Sequence, residues 1–148
     1  MRPPLSQPAL VLLVDDNRDG LLVRRALLEE AGCRVQIAEN GEEGLRMFEA
    51  GKFDVVVTDY RMPGMNGAEM IEAIRKIDLN ARIILLSGFV EPLGLNEANT
   101  GADVVIVKSA NEPSHLVRSV KRLMNQSPPR KPPGTQKGSR SARATGRA

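Results

Sequence analysis

The chain of 148 residues has no tryptophan, one tyrosine, three phenylalanines, one cysteine and one histidine. Without tryptophan there is no indole-anchored interface, and so few rings make a poor stacking platform for single-stranded nucleic acid. A lone cysteine forms no internal disulfide and no cysteine-based zinc cluster, and a lone histidine gives no histidine-rich metal site. No apolar run approaches the roughly 18 residues that a membrane helix needs. Met1-Arg2-Pro3-Pro4 is followed by an apolar run of only six residues, Ala9 to Val14, and acids come straight after, unlike a secretory signal. The expectation is a cytoplasmic chain with no membrane span.

About 41% of the residues are apolar and 26% charged, which suits one domain with a real core and not a disordered chain. The formal charge of +3 hides a split. Residues 1–125 hold all 18 acids with 15 of the 21 lysines and arginines, a balance of −3, while residues 126–148 hold six basic residues and no acid. That last stretch has four prolines and three glycines, and its only apolar residues are three alanines. It cannot bury enough surface to offset the entropy of ordering, so a disordered basic tail is predicted over 126–148. Its six dispersed charges fit a solubilising extension better than a contact with nucleic acid, an acidic partner or a membrane surface. Residues 1–8 are expected to be a flexible N-terminus, leaving 9–125 as the folded body.

Within 9–125 apolar runs alternate with helical patterns. Ala9 to Val14 ends in Asp15-Asp16, Val55-Val56-Val57-Thr58 in Asp59, Ile83 to Leu86 in Ser87, and Val104 to Val107 in Lys108. Continuous runs of this kind predict strands covered on both faces, whereas Arg34 to Ala38 alternates like an edge strand. Met70, Ala73, Ile74 and Ile77 recur at helical spacing, as do Leu116, Val120 and Leu123. Glu42 to Ala50 predicts a short helix with Leu45 and Phe48 inward. Arg18 to Ala31 is helical by propensity but has a broad, ill-defined apolar face, and Gly32 and Gly51 are expected to stop the two helices before them. Pro92, Gly94 and two asparagines make Glu91 to Asn99 a poor helix in isolation. Five strand–helix repeats predict an α/β fold, doubly wound about a five-stranded parallel sheet.

In such sheets reactive groups gather beyond the carboxyl ends of the strands, where Asp15, Asp16, Asp59, Ser87 and Lys108 all fall. Three carboxylates at one edge repel each other and call for a cation, or their pKa values must rise. Hard oxygen donors with no histidine or cysteine nearby favour Mg²⁺. A dication, a lysine and a hydroxyl around one carboxylate suit phosphoryl chemistry. Asp59 is then the candidate nucleophile, Asp15 and Asp16 hold Mg²⁺, and Lys108 and Ser87 contact the phosphoryl oxygens. The loop from Tyr60 to Gly67 is rich in turn residues, and the backbone carbonyl of Arg61 is a further candidate metal ligand.

Leu12-Leu13-Val14-Asp15-Asp16-Asn17, Asp59 with Met62-Pro63-Gly64-Met65-Asn66-Gly67, Ser87-Gly88, and Gly101-Ala102-Asp103 leading to Lys108 strongly resemble the receiver domain of two-component response regulators. Order and spacing agree: 43 residues from Asp16 to Asp59, 28 on to Ser87 and 21 on to Lys108. The resemblance covers roughly 9–125. It implies the flavodoxin-like strand order 2-1-3-4-5 and a phosphoacceptor, Asp59, loaded by a histidine kinase or phosphotransfer protein. It also implies slow self-catalysed dephosphorylation rather than an enzyme's turnover. With no room for an output domain after residue 125, a stand-alone switch is expected, acting on a downstream protein or by onward phosphotransfer.

Two positions depart from the family pattern. Val105 stands where an aromatic rotates inward, and valine is stiff at its first torsion and carries no ring. Ser109 follows Lys108 where proline, often after a cis bond, is usual; before serine a cis bond costs about 2.5–4 kcal/mol. These departures favour the alternative of a receiver-like interaction scaffold that is not phosphorylated, which the intact acids oppose. A haloacid-dehalogenase-type enzyme wants a second aspartate two residues after the first, where Arg61 stands. Cys33 reads as buried filler, His115 as a surface or capping residue, and Met62, Met65 and Met70 as core filling rather than a partner surface. Arg61 and Phe89 flank the pocket two residues beyond Asp59 and Ser87.

Overall fold

A computed structural model describes residues 8–88 and 94–125. The expected N-terminal segment up to residue 7, Phe89, the start of the 91–99 segment and the tail 126–148 lie outside the described residues. The elements alternate throughout: β1 (Leu10–Val14), α1 (Arg18–Glu30), β2 (Arg34–Ala38), α2 (Gly41–Ala50), β3 (Val55–Asp59), α3 (Gly67–Ile77), β4 (Ile83–Ser87), α4 (Glu97–Thr100), β5 (Val104–Val107) and α5 (Glu112–Asn125). The strands form one parallel sheet in the order β2-β1-β3-β4-β5.

Successive side chains of a strand point to opposite faces, so each apolar run feeds two cores. Val11, Leu13, Val55, Val57, Ile84 and Leu86 pack on Leu21 and Leu28 of α1 and on Leu116, Val120 and Leu123 of α5. Leu12, Val14, Val56, Ile83 and Leu85 pack on Phe48 of α2 and on Met70, Ile71 and Ile74 of α3. Each fully buried Leu or Ile contributes about 1.5–3 kcal/mol, so the core is built chiefly by the three central strands. β5 takes the second edge as the strand order implies, but it corrects the expectation of cover on both faces, since Val107 is 50% exposed. Ile77, expected inward, lies at the end of α3 and is 49% exposed; Ile71 takes the buried place instead.

Four helices start on an asparagine. Asn17, Asn40, Asn66 and Asn96 accept the backbone N–H of Gly20, Glu43, Glu69 and Asn99, and Glu69 completes a capping box with Asn66. Gly32 follows α1 at φ +101 and Gly101 ends α4 at φ +82, both left-handed. Gly51 does stop α2, but with extended backbone at φ −125, so it needs no glycine freedom there. α4 is a single turn, Glu97–Thr100, in keeping with the poor helix expected of a segment with a proline, a glycine and two asparagines.

Candidate phosphoryl site

Parallel pairing brings the carboxyl ends of the strands to one edge. Asp15 and Asp16 follow β1 directly, Asp59 and Ser87 are the last residues of β3 and β4, and Lys108 follows β5. The ladder sets Val14 beside Thr58, Asp59 beside Leu86 and Ser87 beside Val107. One carboxylate oxygen from each of Asp15, Asp16 and Asp59 lies within 4.8 Å of the other two. Asp15 and Asp59 are buried and Asp16 is exposed, so the cluster opens to solvent on one side only. Asp15 Oδ1 accepts the Asn17 N–H at 3.0 Å, which fixes that carboxylate over the start of α1.

The loop beyond Asp59 is pinned at both ends. Tyr60 N–H donates to Leu86 O and Gly67 N–H to Tyr60 O, each at 2.8 Å. Gly64 takes φ +75, the conformation expected of a turn glycine. Asp16, Tyr60, Arg61, Met62, Pro63 and Asn66 line an open depression beside the acids. Met62 and Met70 are buried and Met65 packs beside them, so these methionines fill the core as expected.

Lys108 Nζ forms an ion pair with Asp59 Oδ1. Burial raises the Asp59 pKa, and the negative charge of Asp15 adds to that; the hydrogen bond and charge of Lys108 and the charge of Arg24 only partly offset the rise. The buried carboxyl therefore takes up a proton more readily than an ordinary aspartate. The three acids, hard oxygen donors within reach of one another and with no soft ligand in the cluster, could hold Mg²⁺.

The remaining sequence candidates are placed as follows. Ser87 is buried, and its hydroxyl donates to Gly88 O at 3.4 Å; its backbone carbonyl accepts the Lys108 N–H at 2.9 Å. Arg61 is exposed at the mouth of the depression. Cys33 packs partly buried against the core, and burial pushes its thiol pKa up despite Lys121, which fits filler and not a reactive thiolate. His115 is half-buried in the second turn of α5.

Sequence reasoning missed Arg24 and Glu112. Arg24 lies on the buried stripe of α1 between Leu21 and Leu28, and its side chain is 12% exposed. Its Nη1 donates to Asp15 Oδ2 at 2.9 Å, while Nε and Nη2 form a fork on Glu112 Oε2 and Oε1 at 2.9 and 3.1 Å. Burial alone would lower the Arg24 pKa; the hydrogen bond and charge of Glu112 and the charges of Asp15 and Asp59 outweigh it and hold the guanidinium above its ordinary value. An arginine at a core-facing helical position was the available signal, but its partner stands 88 residues away.

A family model described as the response regulator receiver domain matches residues 11–121. The chemotaxis protein CheY of Thermotoga maritima is 36% identical over 115 residues, covering 76% of this chain and 95% of that protein. The response regulator TrrA of Thermotoga maritima, solved in complex with Mg²⁺ and beryllofluoride, superposes with a TM-score of 0.69 at 37% identity, over 78% of this chain and 98% of that one. A chain from the complex of the histidine kinase ThkA with TrrA superposes at 0.71 with 36% identity, over 79% of this chain and 99% of that one. The chain spans 37% of a receiver protein from Anaeromyxobacter that it matches and 7% of the Bordetella sensor protein BvgS.

Proposed function

The chain belongs to the response regulator receiver family of two-component signalling, and we propose that it is a phosphoacceptor switch with Asp59 as the acceptor. The observation that carries this reading is the buried Asp59 carboxylate, flanked by two further acids and paired with Lys108. An Asp59 oxygen attacks the phosphorus of a phosphohistidine on a kinase or phosphotransfer protein. The new P–O bond forms as the P–N bond breaks, and the imidazole leaves with the former bonding pair. Lys108 holds a fixed positive charge against the incoming phosphoryl oxygens, and the Ser87 hydroxyl turns from Gly88 O to donate to one of them. Asp15, Asp16, Asp59 and the Arg61 carbonyl would hold Mg²⁺, which supplies neutralising charge for the transfer when bound. Water later hydrolyses the acyl phosphate and returns the carboxylate.

The beryllofluoride complex of TrrA and its complex with ThkA support the phosphoryl and kinase readings by likeness. Among the described residues no helix is long and apolar enough to cross a membrane, which is compatible with a cytoplasmic kinase partner. The test is incubation with acetyl phosphate and Mg²⁺, followed by intact mass. The wild type is expected to gain one phosphoryl group, and Asp59→Asn none. A gain in both proteins rejects Asp59, a gain without Mg²⁺ rejects the metal role, and no gain in either favours a non-phosphorylated scaffold.

A further inference from the structure

Asp15, a candidate metal ligand, already carries a cation. Arg24 Nη1 sits 2.9 Å from Asp15 Oδ2, and the same guanidinium grips Glu112, the first residue of α5, through its other two nitrogens. All three side chains are nearly excluded from water, at 2% to 12% exposure, so solvent screens their mutual charges weakly. Arg24 belongs to α1, Asp15 to the edge of β1 and Glu112 to α5, so the triad joins the acidic pocket to the N-terminus of another helix.

We propose that Arg24 is a built-in counter-cation of the acidic pocket, tuned by Glu112, that sets how tightly Mg²⁺ binds and couples metal occupancy to α5. This rests on the metal reading given above. A dication placed among the three acids repels a guanidinium hydrogen-bonded to one of them. Metal entry weakens the Arg24 bond to Asp15, and Arg24 shifts its charge onto Glu112. Conversely, Glu112 neutralises Arg24 and keeps its repulsion of the metal moderate. Arg24 is thus a positioning residue that acts through Asp15 and Glu112.

The test is calorimetric titration of the full chain with MgCl₂ at low ionic strength, with amide NMR shifts followed in parallel. Arg24→Gln removes the competing charge and is expected to tighten Mg²⁺ binding about tenfold. Glu112→Gln leaves Arg24 to bear fully on Asp15 and is expected to weaken it about threefold or more. Both variants break the same ion pair, so a merely structural role moves both affinities the same way, and that result overturns the proposal. Arg24→Lys keeps the charge but loses the fork; Kd is expected within about threefold of wild type, with the Mg²⁺-induced shifts at 111–116 lost. If Arg24→Gln does not fold, unchanged or tighter binding by Glu112→Gln overturns the proposal in its place. Wild type that binds no Mg²⁺ overturns the metal reading itself and this inference with it; wild type that binds while the variants match it overturns this inference alone.

Discussion

Gly67→Ala probes how the fold holds Asp59. A Cβ built at Gly67 overlaps the Asp59 carbonyl oxygen and lies 2.8 Å from Leu85 Cδ1 and 3.0 Å from Tyr60 Cα. Two of those neighbours are backbone, on the strand and loop that carry Asp59, so no side-chain rotation relieves them. Overpacking costs typically 1–3 kcal/mol, and a backbone obstacle takes the upper part of that range. Alanine regains about 0.5–1 kcal/mol of helix propensity at most, leaving a net loss of about 2 kcal/mol. For a domain of this size that is a fall in Tm of roughly 6–12 °C. The strain falls on Asp59 itself, so labelling by acetyl phosphate is expected to slow as well. Gly51→Ala is the control: its Cβ meets Phe53 Cε2 at 3.2 Å and Met47 O at 3.4 Å, with ordinary extended backbone. It is expected to stay within about 0.5 kcal/mol of wild type. Urea midpoints of the three proteins decide the matter; a Gly67→Ala midpoint equal to that of Gly51→Ala refutes the close approach of α3 to Asp59.

Arg75 donates to the carbonyls of Leu79, Ala81 and Gly101 and pairs with Asp103 at 3.1 Å, tying the end of α3 to the entry of β5. Arg75→Ala leaves these acceptors short and is expected to cost about 3–5 kcal/mol, read from chemical unfolding; a loss under about 1 kcal/mol discounts the bridge. The raised Asp59 pKa has a defined sign in metal-free protein. The folded state holds the proton more tightly than the unfolded one, so this group's contribution falls as pH rises from the ordinary carboxylate range through its folded pKa. In EDTA, wild type is expected to lose stability against Asp59→Asn over that rise, and saturating Mg²⁺ is expected to reverse the loss; parallel pH profiles contradict it.

What the sequence shows and hides follows from the range of each interaction. β1, β3 and β4 were legible because a strand buried on both faces needs an unbroken apolar run, and few other segments of the chain have one. The acids, Ser87 and Lys108 were legible because each ends such a run, and parallel pairing sends all ends to one edge. β5 misled because its four apolar residues read as covered on both faces, whereas only Val104 and Ile106 face the α5 core and Val107 is half exposed. The Arg24–Glu112 fork was hidden because it joins two helices whose packing is set by the whole sheet, and the one local signal, an arginine at a core-facing position of α1, names no partner.

The departures at Ser109 and Val105 have different structural consequences. Lys108 reaches Asp59 with serine behind it, and no cis peptide bond occurs among the described residues. Its main chain is set by the ladder, through its N–H bond to Ser87 O at 2.9 Å, so the lysine's place depends on strand pairing and not on the residue that follows. Val105 does change what the β5 edge can do. Half-buried against the core on the α3 side of the sheet, it contributes no ring that could swing between solvent and core, and its N–H is held by Glu97 Oε2 at 2.9 Å. The β5 backbone is thereby tied to the single turn of α4.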